Sequence, residues 1–387
     1  MYYRRVGAVP RKRHISHFVD GQRTSEELMG EEGFSAASAL LYHRYSPSAV
    51  TEIEALAHEE PAFTPNMPLS PQHLRPRKLP QGTGDAATGR YYLLGNDSVR
   101  LAWVSTAATS SLYRNAVGDE LLYVQSGSPT IESVFGRLEV RPGDYVVIPC
   151  ATTYRVVVNE PIELLVIEAR GHVQVPQRYL NRAGQMVEGA PFSERDVRGP
   201  GDEPLLVDGE NVPVLVRTRT GISRHVHARH PFDVVGWDGS LYPWAFSIHD
   251  FEPIVGRIHQ PPPVHQTFAG PGFVVCSFVP RLYDFDPEAV KVPYHHANVD
   301  SDEVLFYSDG NFMSRAGSGI EQASISLHPA GFIHGPQPGS LEAARPKERT
   351  EEVAVMVDTF RPLLVSDHAR AVADSNYPWT WAGAVAR

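Results

Sequence analysis

Histidine is the residue type that carries most of the chemical potential of this 387-residue chain, because it occurs 17 times and is the commonest metal ligand as well as a frequent general base. His296 precedes an apolar run, Glu303 opens that run, and His334 follows a later one. Two imidazoles and one carboxylate form the facial triad typical of non-haem Fe(II) oxygenases, which leaves positions open for a substrate and O2. These three residues therefore predict an Fe(II) site.

Two of these predicted ligands have a neighbour that could replace them. His295 competes with His296, and Asp302 competes with Glu303, because adjacent strand residues face opposite sides of a sheet and only one of each pair can point at the ion. The internal repeat described next favours Glu303, whereas spacing alone leaves both histidines open. We expect His328 to hydrogen-bond a ligand or to contact the substrate rather than to bind the metal.

The chain repeats one pattern in its two halves. Residues 115–127 read NAVGDELLYVQSG and residues 298–310 read NVDSDEVLFYSDG; in both, Asp-Glu precedes an apolar strand and a Gly follows seven residues after the Glu. Residues 141–154 and 324–334 continue the pattern, because each contains a strand that ends at a Pro, with an aromatic residue or a His five residues later. This is the two-motif pattern of a cupin barrel, in which a hairpin and a later strand deliver metal ligands.

The two copies differ where a metal would bind. Where the second copy has His295 and His296, the first has Tyr113 and Arg114. Where the second copy has His334, the first has Tyr154. An arginine cannot bind a cation as a ligand. The sequence therefore predicts one metal-binding barrel and one barrel that lacks a metal and serves structure or assembly.

Short strands separated by turns must position these side chains. From about residue 91 the chain alternates apolar, β-branched runs with Gly and Pro turns, which is typical of a sandwich or barrel. The runs that predict strands are Val99–Trp103, Leu121–Gln125, Tyr145–Ile148, Tyr154–Val158, Glu163–Ile167, Val212–Arg217, Phe273–Val279, Val304–Tyr307, Ala323–Leu327 and Val353–Asp358.

We therefore predict a mainly β fold: two cupin-like (jelly-roll) barrels, a bicupin, with an irregular N-terminal arm and few helices. The arm and its loops are predicted to span 1–90, with one helical segment that opens at Ser25. The barrel without metal is predicted at 91–175, connecting β segments that carry His259 at 176–270, and the iron-binding barrel with a C-terminal tail at 271–387.

The composition excludes several classes of protein. The formal net charge of −10 gives no general attraction to a phosphate backbone, so we expect no nucleic-acid partner. Two cysteines exclude a disulfide scaffold and fit a reducing compartment. No apolar run approaches the roughly 20 residues that a membrane helix needs. We therefore expect a cytoplasmic protein without a membrane partner.

Several blocks of this sequence resemble one enzyme family. They are ELMGEEGF (27–34), LLYHRYSP (40–47), HPFDVVGWDG (230–239), VPYHHANVDSDE (292–303) and SLHPAGFIHGPQPG (326–339). Together they strongly resemble the homogentisate 1,2-dioxygenase family. The resemblance implies an Fe(II) enzyme of tyrosine and phenylalanine catabolism that opens the ring of homogentisate with O2 to give maleylacetoacetate. It also implies a homo-oligomer, either a trimer or a dimer of trimers.

The resemblance also implies roles for individual residues. The family's first iron-binding His lies in a string that matches residues 293–298 here, which selects His296, and the other two ligands match Glu303 and His334. Its catalytic His matches His259, which would take a proton from the substrate's phenol group. Tyr294 matches a tyrosine that faces the substrate.

Two positions depart from the family pattern. The resemblance leads us to expect an Arg and then a Tyr after the glutamate ligand, but this chain has Asp309 and Phe312 there. The carboxylate of the substrate then needs another partner. We expect Phe312 to line the substrate site together with Tyr294, His328 and the ligand His334.

Three other interpretations of the function remain open at this stage. The same chemistry could act on another hydroquinone, such as gentisate or a substituted homogentisate. In a different class of function, the chain could be a non-catalytic bicupin that binds a small molecule, or a cupin isomerase that uses Zn or Mn without O2. The run of His225, His227 and His230 could form a second metal site, although scaffold packing is the favoured interpretation.

Overall fold

The computed structural model describes residues 1–57, 61–82, 84–255 and 262–385. Over these residues the chain is mainly β, which confirms the predicted fold class. Each of the ten predicted strand runs coincides with an observed strand. The α-helices are Ser340–Ala344 and Asp367–Ala371, and the 3-10 helices are Glu32–Phe34, Pro76–Lys78, Gln177–Tyr179, Glu194–Asp196, Ile248–Asp250, Pro262–His265, Met313–Arg315 and Tyr377–Val385. Within the described ranges, no helix is long and apolar enough to cross a membrane.

Two large sheets form the first half of the molecule. The nine strands of the central sheet are, in spatial order, Val197–Arg198, Trp244–Ser247, Asp144–Ile148, Glu120–Ser126, Ile162–Ala169, Val99–Thr106, Tyr91–Gly95, Leu364–Ser366 and Phe63–Pro65. The seven strands of the outer sheet are Gly136–Glu139, Thr130–Ser133, Tyr154–Val157, Tyr113–Asn115, Glu210–Arg217, Ile222–Arg229 and Val50–Leu56. An apolar cluster that includes Leu122, Val146 and Val166 fills the space between them.

A third sheet, the site sheet, belongs to the second half. Its six strands are Gln266–Gly270, Phe273–Phe278, Val353–Thr359, Asp302–Asp309, Ile325–His328 and Gln72–Leu74. A four-stranded sheet, the small N-terminal sheet, consists of Arg4–Gly7, Val234–Gly239, Ser38–His43 and Ser25–Gly30. Two-stranded sheets consist of Phe18–Val19 and Gln22–Arg23, and of Arg281–Leu282 and Arg349–Thr350.

The strand Asp302–Asp309 shows how the two halves share a core. Alternate side chains of a strand point to opposite faces, and on one face Phe306 packs 6.0 Å from Trp103 and 5.8 Å from Tyr123, measured between ring centroids. Ser308, on the same face, lies 2.7 Å from the Tyr123 hydroxyl. Because this face packs against the central sheet, Glu303 points to the opposite face.

The predicted helix at Ser25 is wrong. Ser25–Gly30 is a strand that pairs antiparallel with Ser38–His43, from Ser25 opposite His43 to Gly30 opposite Ser38. The Glu-Glu-Leu-Met run has helix-forming residue types, but propensity is a weak determinant when a neighbouring strand offers a full ladder of hydrogen bonds.

The N-terminal arm joins both halves of the molecule. Its strand Phe63–Pro65 pairs with Leu364–Ser366 at the edge of the central sheet, and its strand Gln72–Leu74 pairs with Ile325–His328 at the edge of the site sheet. The arm therefore covers two sheet edges that would otherwise be exposed, which protects them from pairing with other chains.

Candidate metal centre

A single row of side chains across the site sheet carries the candidate metal centre. Glu303 pairs with His328 on one neighbouring strand and with Asp358 on the other. Residues directly opposite one another in a sheet point to the same face. All three side chains therefore face the interior of the second half.

His296 and His334 reach the same place from outside the sheet. They form an isolated β-bridge, in which the His296 N–H donates to the His334 carbonyl at 2.8 Å and the His334 N–H donates to the His296 carbonyl at 2.9 Å. These two backbone hydrogen bonds hold the imidazole rings with their centroids 4.3 Å apart.

The structure brings the three predicted ligands together around one point. His296 Nε2 lies 3.5 Å from Glu303 Oε2, and His334 Nε2 lies 3.3 Å from Glu303 Oε1. One ligand atom from each of the three residues lies within 4.8 Å of the others. Glu303 and His334 are buried and His296 is half-buried. The protein therefore shields one side of the group from solvent and leaves the His296 side partly open.

Backbone carbonyls orient both histidines for metal binding. His296 Nδ1 lies 3.1 Å from the Tyr294 carbonyl, and His334 Nδ1 lies 3.1 Å from the Phe332 carbonyl. A carbonyl only accepts, so each Nδ1 carries the proton and each Nε2 presents its lone pair. His334 Nε2 is buried and has no well-directed hydrogen bond. An unsatisfied imidazole lone pair beside a carboxylate fits a divalent cation.

Glu303 is a carboxylate in this environment. Burial alone would raise its pKa, but the neighbouring imidazoles of His296, His328 and His334 outweigh burial and hold the pKa of Glu303 well below its usual range. His328 Nδ1 lies 2.9 Å from Glu303 Oε1. Burial lowers the pKa of His328 to about 3, so at neutral pH His328 is a neutral partner of Glu303.

The structure separates the alternative ligands from this group. Asp302 Oδ1 accepts the Ala330 N–H at 2.8 Å and its Oδ2 accepts the Leu363 N–H at 2.7 Å, so both oxygens hold the backbone. The His295 ring packs against Gly335, where an added Cβ would lie 2.6 Å from His295 Nδ1. Neither side chain belongs to the group that could hold an ion.

The residues predicted to meet the substrate lie around this group. Tyr294 is 58% exposed and its ring is perpendicular to that of His296 at 6.2 Å. Phe312 packs edge-on against Tyr307, with the ring centroids 5.0 Å apart. His259, the predicted base, lies outside the described residues.

The sequence pattern did not reveal the C-terminal wall of the site. The Tyr377 hydroxyl lies 2.9 Å from His328 Nε2, so His328 bridges Tyr377 and Glu303. Trp381 donates from Nε1 to the Gly335 carbonyl at 3.0 Å, one residue after a predicted ligand. The sequence predicts only a tail here, because no local motif distinguishes this segment from one.

The sequence pattern also missed two charged residues at the site. Arg315 is buried and donates to the Gly335 carbonyl at 2.6 Å and to the Tyr307 hydroxyl at 3.1 Å; among the described residues, no carboxylate forms an ion pair with it. Asp358 Oδ1 is buried without a hydrogen-bond partner. Burial, followed by the charge of Glu303, raises the pKa of Asp358 to about 7.

In the first half, an arginine stands where the second half has its candidate metal site. Glu120, the counterpart of Glu303, forms an ion pair with Arg90, and Arg90 also donates to Glu168 at 2.6 Å and to the Tyr154 hydroxyl at 3.1 Å. The Arg90 guanidinium lies 5.2 Å from the centre of the Tyr113 ring. The Arg90 guanidinium therefore supplies positive charge at this place, and the absence of a metal from the first half remains a prediction. Arg114, to which the sequence drew attention, is not part of this cluster.

Other acidic and histidine-rich groups have structural partners. Glu31, Asp119 and His172 also bring ligand atoms within 4.8 Å, but Asp119 accepts the Cys150 and Val173 backbone N–H groups, both at 2.8 Å. Within the described ranges, no group close enough to hold an ion includes the histidines of the 225–230 run. Two of them line a polar cleft between the outer sheet and the small N-terminal sheet.

Comparisons with known proteins relate this chain to dioxygenases. A family model described as the N-terminal part of homogentisate 1,2-dioxygenase matches residues 86–248. A provisionally assigned dioxygenase of Saccharolobus solfataricus is 40% identical over 390 residues, which cover 98% of this chain and 99% of that protein. The homogentisate 1,2-dioxygenase of Emericella nidulans is 28% identical over 246 residues, 60% of this chain and 53% of that enzyme. The chain thus matches about half the length of the Emericella enzyme.

A solved structure is also similar to the chain. The cupin 2 conserved barrel domain protein of Leptotrichia buccalis is 11% identical and has a TM-score of 0.36. The match covers 76% of this chain and 96% of that one.

Proposed function

This chain belongs to the homogentisate 1,2-dioxygenase family, and on that premise we propose that it is an Fe(II) dioxygenase that opens the ring of homogentisate with O2 to give maleylacetoacetate. The reaction would serve tyrosine and phenylalanine catabolism, in the cytoplasm and in a trimer or a dimer of trimers. We further propose that 91–175 and 271–387 act as the barrel without metal and the barrel with iron, with 1–90 and 176–270 as arm and connection.

One observation supports this proposal above the others. His296, Glu303 and His334 present two imidazole nitrogens and one carboxylate oxygen to one point, and His334 Nε2 has no hydrogen-bond partner there. Such a donor set favours Fe(II) with positions left open for a substrate and O2. We propose these three residues as the ligands. When bound, the ion would hold the aromatic ring and O2 in contact and conduct electrons between them.

The surrounding residues have separate tasks in the proposed mechanism. His259 would accept a proton from the phenol group of the substrate, for which a histidine near its ordinary pKa is well matched at neutral pH. Tyr294 and Phe312 would bracket the ring of the substrate. His328 would orient the Glu303 carboxylate, since its other nitrogen is fixed by Tyr377 at 2.9 Å.

Arg315 supports a substrate that carries a carboxylate. A buried cation is normally paired with a buried anion, but Arg315 donates only to a carbonyl and a phenol oxygen among the described residues. We propose that the acetate group of homogentisate provides the missing charge, in place of the Arg that the family pattern has at the position of Asp309.

Product analysis tests the proposed function directly. The protein is loaded with Fe(II) without air, mixed with homogentisate and O2, and the product is identified by mass spectrometry and ultraviolet absorbance. We expect one O2 consumed for each maleylacetoacetate formed. Two other hydroquinones serve as matched substrates: gentisate, whose carboxylate is attached directly to the ring, and methylhydroquinone, which has no carboxylate. Both are expected to react at least tenfold more slowly than homogentisate. Faster turnover of gentisate would favour the alternative hydroquinone, and no O2 uptake with any of them would favour a non-catalytic bicupin.

A further inference from the structure

The two halves of the molecule place a pair of acidic side chains at corresponding positions. In the first half, Glu120 lies opposite Glu168 on the neighbouring strand. In the second half, Glu303 lies opposite Asp358 in the same antiparallel arrangement. Like charges directly opposite one another in a sheet are destabilising, so each pair needs positive charge beside it.

The first half provides that positive charge with arginines. One nitrogen of Arg90 forms ion pairs with both Glu120 and Glu168. Glu168 also accepts a hydrogen bond from the Tyr92 hydroxyl at 2.6 Å, and Arg217 adds positive charge near Glu168. Two guanidinium groups therefore balance two carboxylates.

The second half has the acidic pair without an ion-paired arginine. Among the described residues, no lysine or arginine forms an ion pair with Asp358 or with Glu303. The buried Arg315 adds positive charge near Glu303, and the carboxylate of the proposed substrate would balance that charge. Asp358 Oδ1 is buried and accepts no hydrogen bond. The group that could hold an ion comprises His296, Glu303 and His334, and Asp358 is not a member of it.

From this comparison we propose that Asp358 is the second carboxylate of the metal centre, which is not a ligand but neutralises the divalent ion together with Glu303. The inference rests on the proposed metal site. One divalent cation against Glu303 and Asp358 gives the same balance that two arginines give against Glu120 and Glu168. Asp358 is a positioning residue in this account, because its charge acts on the ion across Glu303.

Two measurements on Asp358→Asn test the inference, with Asp309→Asn as the matched control. Asp309 is an exposed carboxylate at the far end of the Glu303 strand. Thermal unfolding of the metal-free proteins in a chelator at pH 8 should show a midpoint a few degrees higher for Asp358→Asn, because a repulsive charge pair is removed. Anaerobic calorimetric titration with Fe(II) should show an affinity at least tenfold weaker. Asp309→Asn should change neither.

The combination of the two results distinguishes the proposed role from a structural one. A residue that only supports the fold would lower the unfolding midpoint when it is replaced. The inference is overturned if Asp358→Asn binds Fe(II) as tightly as the unsubstituted chain, or if its metal-free form is destabilised. If Fe(II) binding weakens as expected but no hydroquinone is oxidised by the unsubstituted chain, the proposed reaction fails while the role of Asp358 stands.

Discussion

Glu303 is the side chain on which the proposed metal site depends most, because it contacts three imidazoles at once. Its oxygens lie 2.9 Å from His328, 3.3 Å from His334 and 3.5 Å from His296. The opposite-strand partners of Glu303 place it in the interior, and the histidines then converge on it. A change at this one residue therefore removes a ligand and the charge that organises the others.

We expect Glu303→Gln to bind Fe(II) at least 100-fold more weakly than the unsubstituted chain and to lose at least 1,000-fold in turnover. The amide keeps the size of the carboxylate but removes its charge and one acceptor oxygen, and a histidine that faces an uncharged amide loses its strongest partner. Calorimetric titration with Fe(II) and an oxygen electrode measure the two effects. Asp309→Asn, on the same strand, is the control, and equal iron affinity in both variants would contradict the assignment.

At the residue scale, sequence reasoning reached the three predicted ligands but not their surroundings. Glu303 and His334 could be predicted because they stand at fixed offsets from Gly and Pro within a repeated pattern, whereas His296 was selected over His295 by the family resemblance. Arg90 and Asp358 could not be predicted, because each lies on a different segment from the motif it completes. Which distant residue stands opposite a given strand position depends on sheet register, and a shift of one residue would turn it to the other face.

At the scale of elements, the Arg90 cluster supplies positive charge to two buried carboxylates in the first half. Arg90 is buried with Glu120 and Glu168, and Tyr154 completes the hydrogen bonds around it. Desolvating three charges is costly, and the cost is offset only while all partners are present. Glu120 and Glu168 lie on adjacent strands of the central sheet, Arg90 directly precedes another of its strands, and Tyr154 lies on the outer sheet.

We therefore expect Arg90→Met to lower the free energy of unfolding by about 3–5 kcal/mol, the usual cost of leaving buried charges unpaired. Urea unfolding followed by tryptophan fluorescence measures the change. Arg137→Met is the matched control, because the Arg137 side chain is 60% exposed and its partner Glu132 keeps an ion pair with Arg155; an exposed ion pair contributes roughly 0–1 kcal/mol. A loss at Arg90 no larger than at Arg137 would show that the cluster is not a structural substitute for a metal.

A buried histidine links the small N-terminal sheet to the loop before a neighbouring strand. His43 lies 2.6 Å from Asp233 and 2.9 Å from Glu27. Burial alone would lower its pKa, but these two carboxylates outweigh burial and raise the pKa of His43 to about 9. A folded-state pKa above the ordinary 6.5 means that protonated His43 stabilises the fold fully below pH 6.5. That contribution is lost as the pH rises through 9.

We expect His43→Gln to remove this dependence on pH. Between pH 6.5 and pH 10 the unsubstituted chain should lose on the order of 2–3 kcal/mol of stability that the variant does not lose. Urea unfolding at a series of pH values measures the difference. His14→Gln is the control, because the His14 side chain is 94% exposed. Parallel pH profiles for His43→Gln and the unsubstituted chain would refute the role assigned to His43.

At the scale of the whole molecule, segments distant in sequence complete the second half. The arm supplies the strand Gln72–Leu74 to the site sheet, and the C-terminal helix Tyr377–Val385 lies over His328, with the Trp381 ring 6.1 Å away. Composition and strand texture predicted a mainly β chain in two halves. They could not predict that the arm and the C-terminal helix contact the site sheet, because neither segment has a periodicity that identifies its partner.

We expect a chain that ends at residue 375 to fold but to bind Fe(II) at least tenfold more weakly. The deletion removes Tyr377, which fixes His328, and Trp381, which holds the Gly335 carbonyl beside a ligand; loss of groups that orient metal ligands typically costs 10–100-fold in affinity. Circular dichroism and Fe(II) titration provide the two readouts. Removal of residues 386–387 alone is the control. Unchanged affinity in the longer deletion would exclude the C-terminal segment from the site.

Anomalous diffraction at the iron edge, from crystals grown with Fe(II) in the absence of air, tests the central claim most directly. We predict one strong peak for each chain, within bonding distance of His296 Nε2, His334 Nε2 and a Glu303 oxygen, and no peak beside Arg90. A peak at Glu31, Asp119 and His172 instead, or histidines 296 and 334 turned away from an iron held elsewhere, would contradict the account.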